Sequence, residues 1–403
     1  MKITRNLWLV CCMFITVLLF VGISCAPTAP TPPTSKEPVK LGFIGPLTGY
    51  AIDDGRLMAA NFQLAIDVQN EKGGILNGRQ VVGITYDEQA LSSEAAKGAT
   101  KLITQDKVKA VLGTWESASG VAVKDICKSY NIPFVCSTSG STLVTSEGYP
   151  GVVANSANVY VTECLGMIYW FEKNKVSDVS ILAEDVPYSY QIIEFLNERW
   201  GVAGSPIKIN DVIFHPQGKS DLSVEVTKLV STNPGAVICL DYTVPAMSAA
   251  AQQLKILGYN GFKYGVHIGR PAILPAFGDS LEGFWSGNDW MEDPTVPANV
   301  AYAKLSREKI PDPAVANDIY MPGAWTYDGT NICMLAFDKA GTDSDTLKWW
   351  QAVQTLDYTT AYGNKLQVLP NGRVPHANGY IVQIKDGKVN IIDRYPVSPS
   401  DYK

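Results

Sequence analysis

The spacing of apolar residues from position 39 onward alternates between two periods. Val39–Ile44 is a short apolar run that ends at Gly45-Pro46, which is typical of a buried strand. Apolar residues then recur every three or four positions over 56–71, so the pattern predicts an amphipathic helix there. Gly73-Gly74 ends this helix, because glycine adopts the left-handed conformation that follows many helix C-termini. The chain therefore begins as a strand followed by a helix.

The same alternation continues through two sets of elements. The first set comprises strands at 80–86, 110–112 and 133–136 and helices at 92–106 and 118–130. The second set comprises strands at 179–183, 207–214, 236–240 and 262–266 and helices at 159–174, 188–200, 221–231 and 245–257. Strands that alternate with helices in this way predict parallel sheets. The pattern therefore predicts an α/β protein with two lobes.

The last third of the chain departs from this alternation. Residues 282–291 are rich in aromatic side chains, and we expect them to be irregular. Helices are predicted near 297–309, 325–340 and 345–356, followed by a hairpin of 379–384 and 388–395 around Asp386-Gly387. Periodicity alone does not assign these late elements to one lobe or the other.

The N-terminus has the features of an export signal. Lys2 and Arg5 precede a long apolar stretch, and a Pro/Thr-rich linker at 25–38 follows it. We therefore expect residues 1–24 to be a signal peptide. The residues before Cys25 resemble a bacterial lipobox, in which the cysteine becomes lipidated, although Gly22 stands where leucine is usual. The alternative is an uncleaved anchor helix.

Composition narrows the class of protein. The 403 residues are 46% hydrophobic and 18% charged, which is compatible with buried cores and excludes a disordered chain. Apolar residues do not form repeated long stretches, so a multi-span membrane protein is excluded. The 33 Lys and Arg against 39 Asp and Glu give a net charge of −6, and this balance argues against a nucleic-acid partner.

No motif of an enzyme, a metal site or a cofactor stands out. The chain has three histidines without ligand spacing, and it contains no G-x-S-x-G, H-E-x-x-H or Walker sequence. The glycines of 42–49 have the wrong spacing for a dinucleotide fingerprint. The five cysteines after residue 38 are odd in number and unpaired in spacing, so we predict free thiols, with one distant bridge left open. We therefore predict no catalytic residue, metal or cofactor.

Eight short segments in order carry a family resemblance. They are 41–49, 71–75, 77–78, 86–88, 181–188, 218–222, 233–238 and 325–329. Together they resemble the solute-binding proteins of branched-chain amino-acid ABC transporters, of the leucine/isoleucine/valine-binding type (periplasmic binding protein type I). The resemblance implies two Rossmann-like lobes with parallel sheets, joined by three crossovers, that close on a ligand.

The resemblance also implies limits for the lobes and a function. The first lobe would comprise 39–156 and 290–362, and the second would comprise 157–289 and 363–397. The implied function is capture of a small solute, such as an amino acid or a related carboxylate or amide, and its delivery to the permease of an ABC transporter. We expect a monomeric lipoprotein outside the cytoplasmic membrane. The alternative is a ligand-sensing receptor module of the same fold, which would need a signalling segment after Tyr395.

On the first lobe, the resemblance implies ligand contacts after two strands. Ser117 falls where the family holds a ligand carboxylate at a helix start, which suits free N–H groups and the helix dipole. The alternative is that Ser117 or Ser119 is only a helix cap. Trp115 would line the pocket or pack inside the lobe. The next loop supplies Thr138, Ser139 and Gly140, although glycine stands where the family has threonine, and such loops are also common in turns.

On the second lobe, Tyr188 and Tyr242 fall near places where the family has aromatic residues that close on the ligand. Tyr50 and Trp325 are further candidates on the first lobe. His267 falls where amino-acid-binding members carry an acid that pairs with the ligand's ammonium group. Because an imidazole cannot do this, we expect the site to have lost its acid and to favour organic acids or amides. The alternative for His267 is a solvent-facing loop histidine.

Overall fold

The structure is a computed structural model that describes residues 37–156, 158–241, 243–376 and 378–402. The predicted signal peptide and Cys25 lie outside the described residues, and so does Tyr242.

The first sheet has five strands, all parallel, in the order β2-β1-β3-β4-β5. Its strands are β1 (Val39–Gly45), β2 (Val81–Asp87), β3 (Ala110–Gly113), β4 (Phe134–Cys136) and β5 (Val152–Ala154). Each of the first four agrees with a predicted strand to within one or two residues. The three-residue β5 was not predicted.

The second sheet has seven strands in the order β12-β11-β10-β9-β8-β6-β7. Its strands are β6 (Asp178–Glu184), β7 (Lys208–His215), β8 (Ala236–Leu240), β9 (Phe262–Gly265), β10 (Phe284–Asn288), β11 (Asn378–Lys385) and β12 (Lys388–Pro396). The first five of these pair in parallel, and the predicted hairpin β11–β12 adds antiparallel to β10.

The expectation that residues 282–291 are irregular is wrong, because β10 lies within them. Gly287 explains why the strand can form here and why its sequence pattern is weak. A Cβ at this position would lie 2.5 Å from the hydroxyl of Tyr264, so only glycine lets the strand pack there. Glycine inside a strand marks this kind of close approach, but it weakens the sequence pattern.

The helices follow the predicted pattern, with two π-helical turns at Leu102–Asp106 and Tyr160–Leu165. They are α1 (Ile52–Glu71), α2 (Ser92–Lys101), α3 (Ser117–Ser129), α4 (Gly166–Lys173), α5 (Pro187–Trp200), α6 (Ser223–Val230), α7 (Val244–Ile256), α8 (Pro297–Lys309), α9 (Pro313–Ala316), α10 (Met321–Ala340) and α11 (Thr346–Val353). Short 3₁₀ turns occur at Thr142–Val144, Pro271–Phe277 and Pro399–Asp401.

Each sheet has apolar side chains packed on both faces. In β3, Val111 belongs to the cluster under α2 and α3, whereas its neighbour Leu112 belongs to the cluster that contains residues of α1, α10 and α11. The second sheet is likewise covered on both faces by separate clusters. Two mostly parallel sheets covered in this way confirm the predicted α/β class, since both faces of a parallel sheet must be buried.

The late helices α10 and α11 pack on the first sheet. The periodicity of the sequence did not assign them to either sheet. The chain between α11 and β11 stays near this sheet, because Val374 donates its N–H to the carbonyl of Ala154 at 3.0 Å. It joins the second sheet at Asn378. These contacts favour a third lobe boundary near residue 375, later than 362, and the four lobe limits stay predictions.

The five cysteines of the described chain are buried and free, which confirms the prediction of unpaired thiols. Within the described ranges, no helix is both long and apolar enough to span a membrane.

Candidate functional site

The start of α3 lies directly after the carboxyl end of β3. Its N-cap residue is Glu116, whose side chain makes no capping hydrogen bond, so neither Ser117 nor Ser119 is the cap. Ser117 is exposed, whereas Ser119 is buried and its hydroxyl makes no hydrogen bond of normal geometry. The first N–H groups of a helix have no partner within the helix, and the helix dipole favours an anion beside them. This arrangement suits a ligand carboxylate.

A buried acid that the sequence analysis missed lies beside this helix start. Glu88 follows β2, and its Oε1 accepts the N–H of Trp115 at 2.9 Å. Burial raises the pKa of Glu88 to about 7, and the hydrogen bond from the N–H of Trp115 offsets only part of that effect. The carboxyl therefore changes its charge near neutral pH. Its place directly after a strand, next to Asp87, was the available signal.

The loop after β4 is hydrogen-bonded to the loop after β3. The hydroxyl of Thr138 donates to the carbonyl oxygens of Thr114 and Trp115, so this side chain is engaged within the protein. Gly140 packs against the chain that enters the second half of the molecule. A Cβ at Gly140 would lie 2.9 Å from Cγ2 of Val159, which explains why a threonine does not fit there. Ser139, on the same loop, is buried and its hydroxyl makes no hydrogen bond of normal geometry.

Trp115 is held in place from two sides. Its indole N–H donates to Oδ2 of Asp54 at 3.0 Å, and the ring of Tyr50 packs edge-on against it with centroids 5.7 Å apart. Tyr50 is 58% exposed and its hydroxyl donates to Glu116. Trp115 and Tyr50 therefore form a fixed aromatic corner beside the start of α3.

On the second sheet, three polar side chains converge at the carboxyl ends of β6 and β9. The hydroxyl of Tyr188 lies 3.0 Å from Nε2 of His267 and also hydrogen-bonds Glu163. Oε1 of Glu163 lies 3.4 Å from the same histidine nitrogen. His267 has a left-handed backbone (φ 57°), which is uncommon outside glycine and concentrates at functional sites. An acid therefore lies beside His267, and the expectation that the ligand meets no acid in this half stays a prediction.

Glu163 comes from the π-helical turn Tyr160–Leu165 and is 2% exposed. Burial raises its pKa, and the nearby His267 and the Tyr188 hydrogen bond lower it by less. This acid could not be identified from the sequence, because a single glutamate in an apolar helical stretch carries no motif. The available sequence signal was that Glu163 is a charged residue within an otherwise apolar stretch, which packs into the core.

Arg270 joins the loops of the two sheets. It follows β9, and its Nη1 lies 2.7 Å from Oδ1 of Asp54 in the first turn of α1, which follows β1. Its Nε donates to both oxygens of Asp318 at 3.1 and 3.0 Å, and the guanidinium lies 5.5 Å from the ring centroid of Tyr320. Because both loops follow the carboxyl ends of their strands, those ends of the two sheets face each other.

A buried histidine connects all three chain passages between the sheets. Nε2 of His376 lies 3.0 Å from the carbonyl of Asn155, so this nitrogen carries the proton. Nδ1 of His376 lies 3.2 Å from Oδ2 of Asp289, and its ring stacks on Tyr362 at 3.8 Å. Asn155 follows β5, Asp289 follows β10 and His376 precedes β11. The same histidine therefore contacts each passage.

Trp325 is buried rather than open to the site. It packs with Trp290 and Tyr320, and its carbonyl accepts a hydrogen bond from Asn155. In the described part of the chain, no group of three or more His, Cys, Asp or Glu side chains is arranged to hold a metal ion.

A family model described as a periplasmic binding protein matches residues 38–388. The chain belongs to this family. Periplasmic binding proteins of this kind bind substrates and are not enzymes, which confirms the exclusion of catalysis. The family and the two sheets also confirm the resemblance found in the sequence and the two-lobe α/β architecture.

Relatives cover most of the chain at low identity. The leucine-, isoleucine-, valine-, threonine- and alanine-binding protein of Pseudomonas aeruginosa is 24% identical over 331 residues, which are 81% of this chain and 85% of the relative. A branched-chain amino-acid transporter substrate-binding protein of Streptococcus pneumoniae, solved with isoleucine, has a TM-score of 0.78 at 18% identity and covers 90% of this chain and 99% of its own.

A solute-binding protein of an ABC transporter from R. palustris, solved with 4-hydroxybenzoate, has a TM-score of 0.79 at 17% identity. It covers 90% of this chain and 98% of its own. At such identities the solved structures show that the fold is shared.

Proposed function

We propose that this periplasmic binding protein captures a small organic solute with a carboxylate group between its two sheets and delivers it to the permease of an ABC transporter. The observation that carries this proposal is the uncapped start of α3 on one sheet, with a polar cluster on the other. The Arg270–Asp54 contact brings the strand ends that carry them face to face.

The first sheet would bind the carboxylate. Ser117 is exposed at the start of α3 and free of capping bonds, and we propose that it donates to the ligand. Ser139 and the backbone around Gly140 would add contacts from the neighbouring loop. The aromatic corner of Tyr50 and Trp115 would cover the ligand. Thr138 would act indirectly, because its hydroxyl holds the loop after β3.

The second sheet would bind the rest of the solute. Tyr188 and His267 are partly exposed and lie at the ends of strands, where they can contact a ligand. Tyr242 lies outside the described residues and stays a candidate from the sequence resemblance. The relative from Pseudomonas is named for aliphatic amino acids and the one from R. palustris was solved with an aromatic acid. Both ligands support a carboxylate-bearing solute.

The decisive experiment is to purify the mature protein from its native host and release its contents by denaturation. Mass spectrometry should detect one small carboxylate-bearing solute, which returns unchanged after incubation with fresh protein. Conversion of the solute to a product would contradict the proposal. Light scattering should give the mass of a monomer.

We further propose that the protein lies outside the cytoplasmic membrane and is anchored through lipid on Cys25. The signal-like residues 1–24 and the linker 25–38 support this arrangement. Cys25→Ala should move the protein from the membrane fraction to the soluble exported fraction. A Cys25→Ala protein that stays in the membrane would show that the N-terminus is an anchor helix instead.

A further inference from the structure

Arg373 is a large charged side chain that is completely buried at the edge of the first sheet. It is 0% exposed and belongs to the chain segment between α11 and β11. Its backbone lies beside Ala154 of β5, which in turn pairs with Cys136 of β4. Residues that pair across a sheet point to the same face, and Cys136 and Ala154 both pack in the cluster under α3. The guanidinium therefore reaches across the small Ala154 toward the loop that follows β4.

The hydrogen bonds of Arg373 go to neutral groups. Its Nη2 donates to the carbonyl of Ser141, and its Nε donates to the hydroxyl of Thr145 at 3.1 Å. Its Nη1 is buried and makes no hydrogen bond within the described residues. A guanidinium carries five N–H donors, so these contacts leave part of it unsatisfied.

Within the described chain, no acid balances this charge. The ionisable groups whose charges act on Arg373 are Cys136 and Tyr402, and burial raises the pKa of both, so neither is charged at neutral pH. Burial lowers the pKa of Arg373 itself, but arginine stays protonated in proteins. The other buried arginine of the described chain, Arg270, is in contrast paired with two acids. Because a buried ion without a charged partner is strongly unfavourable, an anion near Arg373 would be stabilising.

The loop over Arg373 lies against the start of α3. A Cβ at Gly120, in the first turn of α3, would lie 2.8 Å from Cβ of Ser139, so the loop and the helix are in close contact. Ser141, whose carbonyl accepts from Arg373, caps the 3₁₀ turn that follows the loop. One loop therefore separates the unmatched guanidinium from the helix start where the carboxylate of the solute would bind.

We propose that Arg373 is a specificity-determining residue that selects anionic solutes. Its charge acts across the loop 137–141 on the carboxylate of the bound solute, while backbone N–H groups and serine hydroxyls make the direct contacts. Charges about 10 Å apart inside a protein still change an affinity roughly tenfold. Arg373 therefore favours a carboxylate over the uncharged amide of the same solute. This inference rests on the proposed function, because it needs a ligand carboxylate at the start of α3.

The test compares each acid with its primary amide, which has nearly the same shape but no charge at that end. The pairs are L-leucine with L-leucinamide, 4-methylpentanoate with 4-methylpentanamide, and 4-hydroxybenzoate with 4-hydroxybenzamide. If the host supplies a different acid, that acid and its primary amide form a further pair. Titration calorimetry on the wild type should show the acid binding more tightly than the amide in at least one pair.

Arg373→Gln keeps an N–H donor for the carbonyl of Ser141 but removes the charge. It should weaken binding of the acid about tenfold and leave binding of the amide within about threefold. Arg373→Lys keeps a positive charge and should recover most of the preference for the acid. Arg199→Gln is the matched control, because Arg199 is an exposed arginine that pairs with Glu172 away from this loop. That control should keep the full preference.

A second variant keeps the inference testable if Arg373→Gln does not fold. Thr145→Asp places a carboxylate where the hydroxyl of Thr145 already accepts the Nε–H of Arg373, so the buried cation gains a partner. The carboxylate of the solute then meets a neutralised pair, and the acid should bind about tenfold more weakly relative to the amide. Thr145→Asn has nearly the same shape without the charge and should keep the wild-type preference.

The outcomes separate the two proposals. If either folded variant, Arg373→Gln or Thr145→Asp, keeps the wild-type ratio of acid affinity to amide affinity, Arg373 only holds the loop in place and the proposed function stands. The same conclusion follows if the amides bind the wild type as tightly as the acids. If no probe binds the wild type and the protein isolated from its host contains no carboxylate-bearing solute, the proposed function fails, and this inference fails with it.

Discussion

The two halves of the candidate site are built in different ways. The half on the first sheet is made from backbone at the start of α3, with Ser117 and Ser119 beside it and Glu88 underneath. The half on the second sheet is made from the side chains of Glu163, Tyr188 and His267, which come from three separate elements. A helix start offers N–H groups to any carboxylate, whereas a side-chain cluster selects among ligands. The first half therefore suits capture, and the second suits discrimination.

Burial affects the acids of the two halves in the same way. Protonation of Glu88 removes a negative charge from the place where a ligand carboxylate would bind. Burial raises the pKa of both carboxyls, so their protonation occurs above the ordinary range of glutamate.

The largest expected effect comes from separating the halves. Arg270→Ala removes the guanidinium from Asp54 and Asp318 and leaves two acids unmatched. Breaking a buried ion pair costs about 3 kcal/mol or more, which corresponds to roughly a hundredfold weaker binding if the contact stabilises the ligand-closed form. Calorimetry with the solute identified from the host should show this loss, and small-angle scattering should show a more extended ligand-free protein.

Arg307→Ala is the matched control, because Arg307 contacts both oxygens of Glu292 on the exposed surface. Exposed pairs contribute about 0–1 kcal/mol, so this variant should bind as the wild type does. Equal binding by Arg270→Ala and Arg307→Ala would contradict a role of Arg270 in closure.

A second effect concerns the stability of the first half. The pKa of Glu88 is about 7 in the folded protein against 4.5 as its ordinary value, so the folded state holds its proton more tightly. The free energy of unfolding should therefore fall as pH rises from 4.5 through 7, by about 3 kcal/mol from this group alone. Buried Asp328, with a pKa raised to about 7, acts in the same direction.

Chemical denaturation between pH 4.5 and 8 measures this dependence. Glu88→Gln keeps an acceptor for the Trp115 N–H and should flatten the pH dependence by about the share assigned to Glu88. Glu194→Gln, at an exposed position of α5, should leave the curve unchanged. If the free energy of unfolding of Glu88→Gln depends on pH as that of the wild type does, a group other than Glu88 causes the dependence.

A smaller effect is expected on the pH dependence of ligand binding at the first half of the site. An amine-free acid such as 4-methylpentanoate should bind up to about tenfold more tightly at pH 6 than at pH 8, because protonated Glu88 no longer repels it. Glu88→Gln should reduce this gain. Weaker binding at pH 6 would show that the carboxylate is not held beside Glu88.

The smallest effect is expected at the surface of the first half. Ser117→Ala removes one hydroxyl from the start of α3 and should weaken binding of the solute about three- to tenfold, as for one hydrogen bond. Its melting temperature should stay that of the wild type, because Ser117 makes no capping bond. Ser129→Ala, at the other end of α3, is the control. A lower melting temperature for Ser117→Ala with unchanged binding would assign Ser117 a structural role.

The fold could be predicted further than the site. Predicted strands such as 236–240 coincide with observed ones, because a buried strand must be a continuous apolar run. The strand β10 was missed because Gly287 interrupts its pattern to make room for Tyr264. The packing of α10 and α11 on the first sheet could not be predicted from periodicity. Periodicity identifies the apolar face of a helix, but it does not identify the sheet against which that face packs.

The sequence by itself determined the α/β class, the family and the place of Ser117 and Tyr188 at strand ends. These follow from local period and from short segments in order. Only the tertiary structure brought Glu163 to His267 and Arg270 to Asp54, across more than 100 and 200 residues of chain. The physical reason is that a buried charge is balanced by whatever packs against it in space, and no spacing along the chain records that partner.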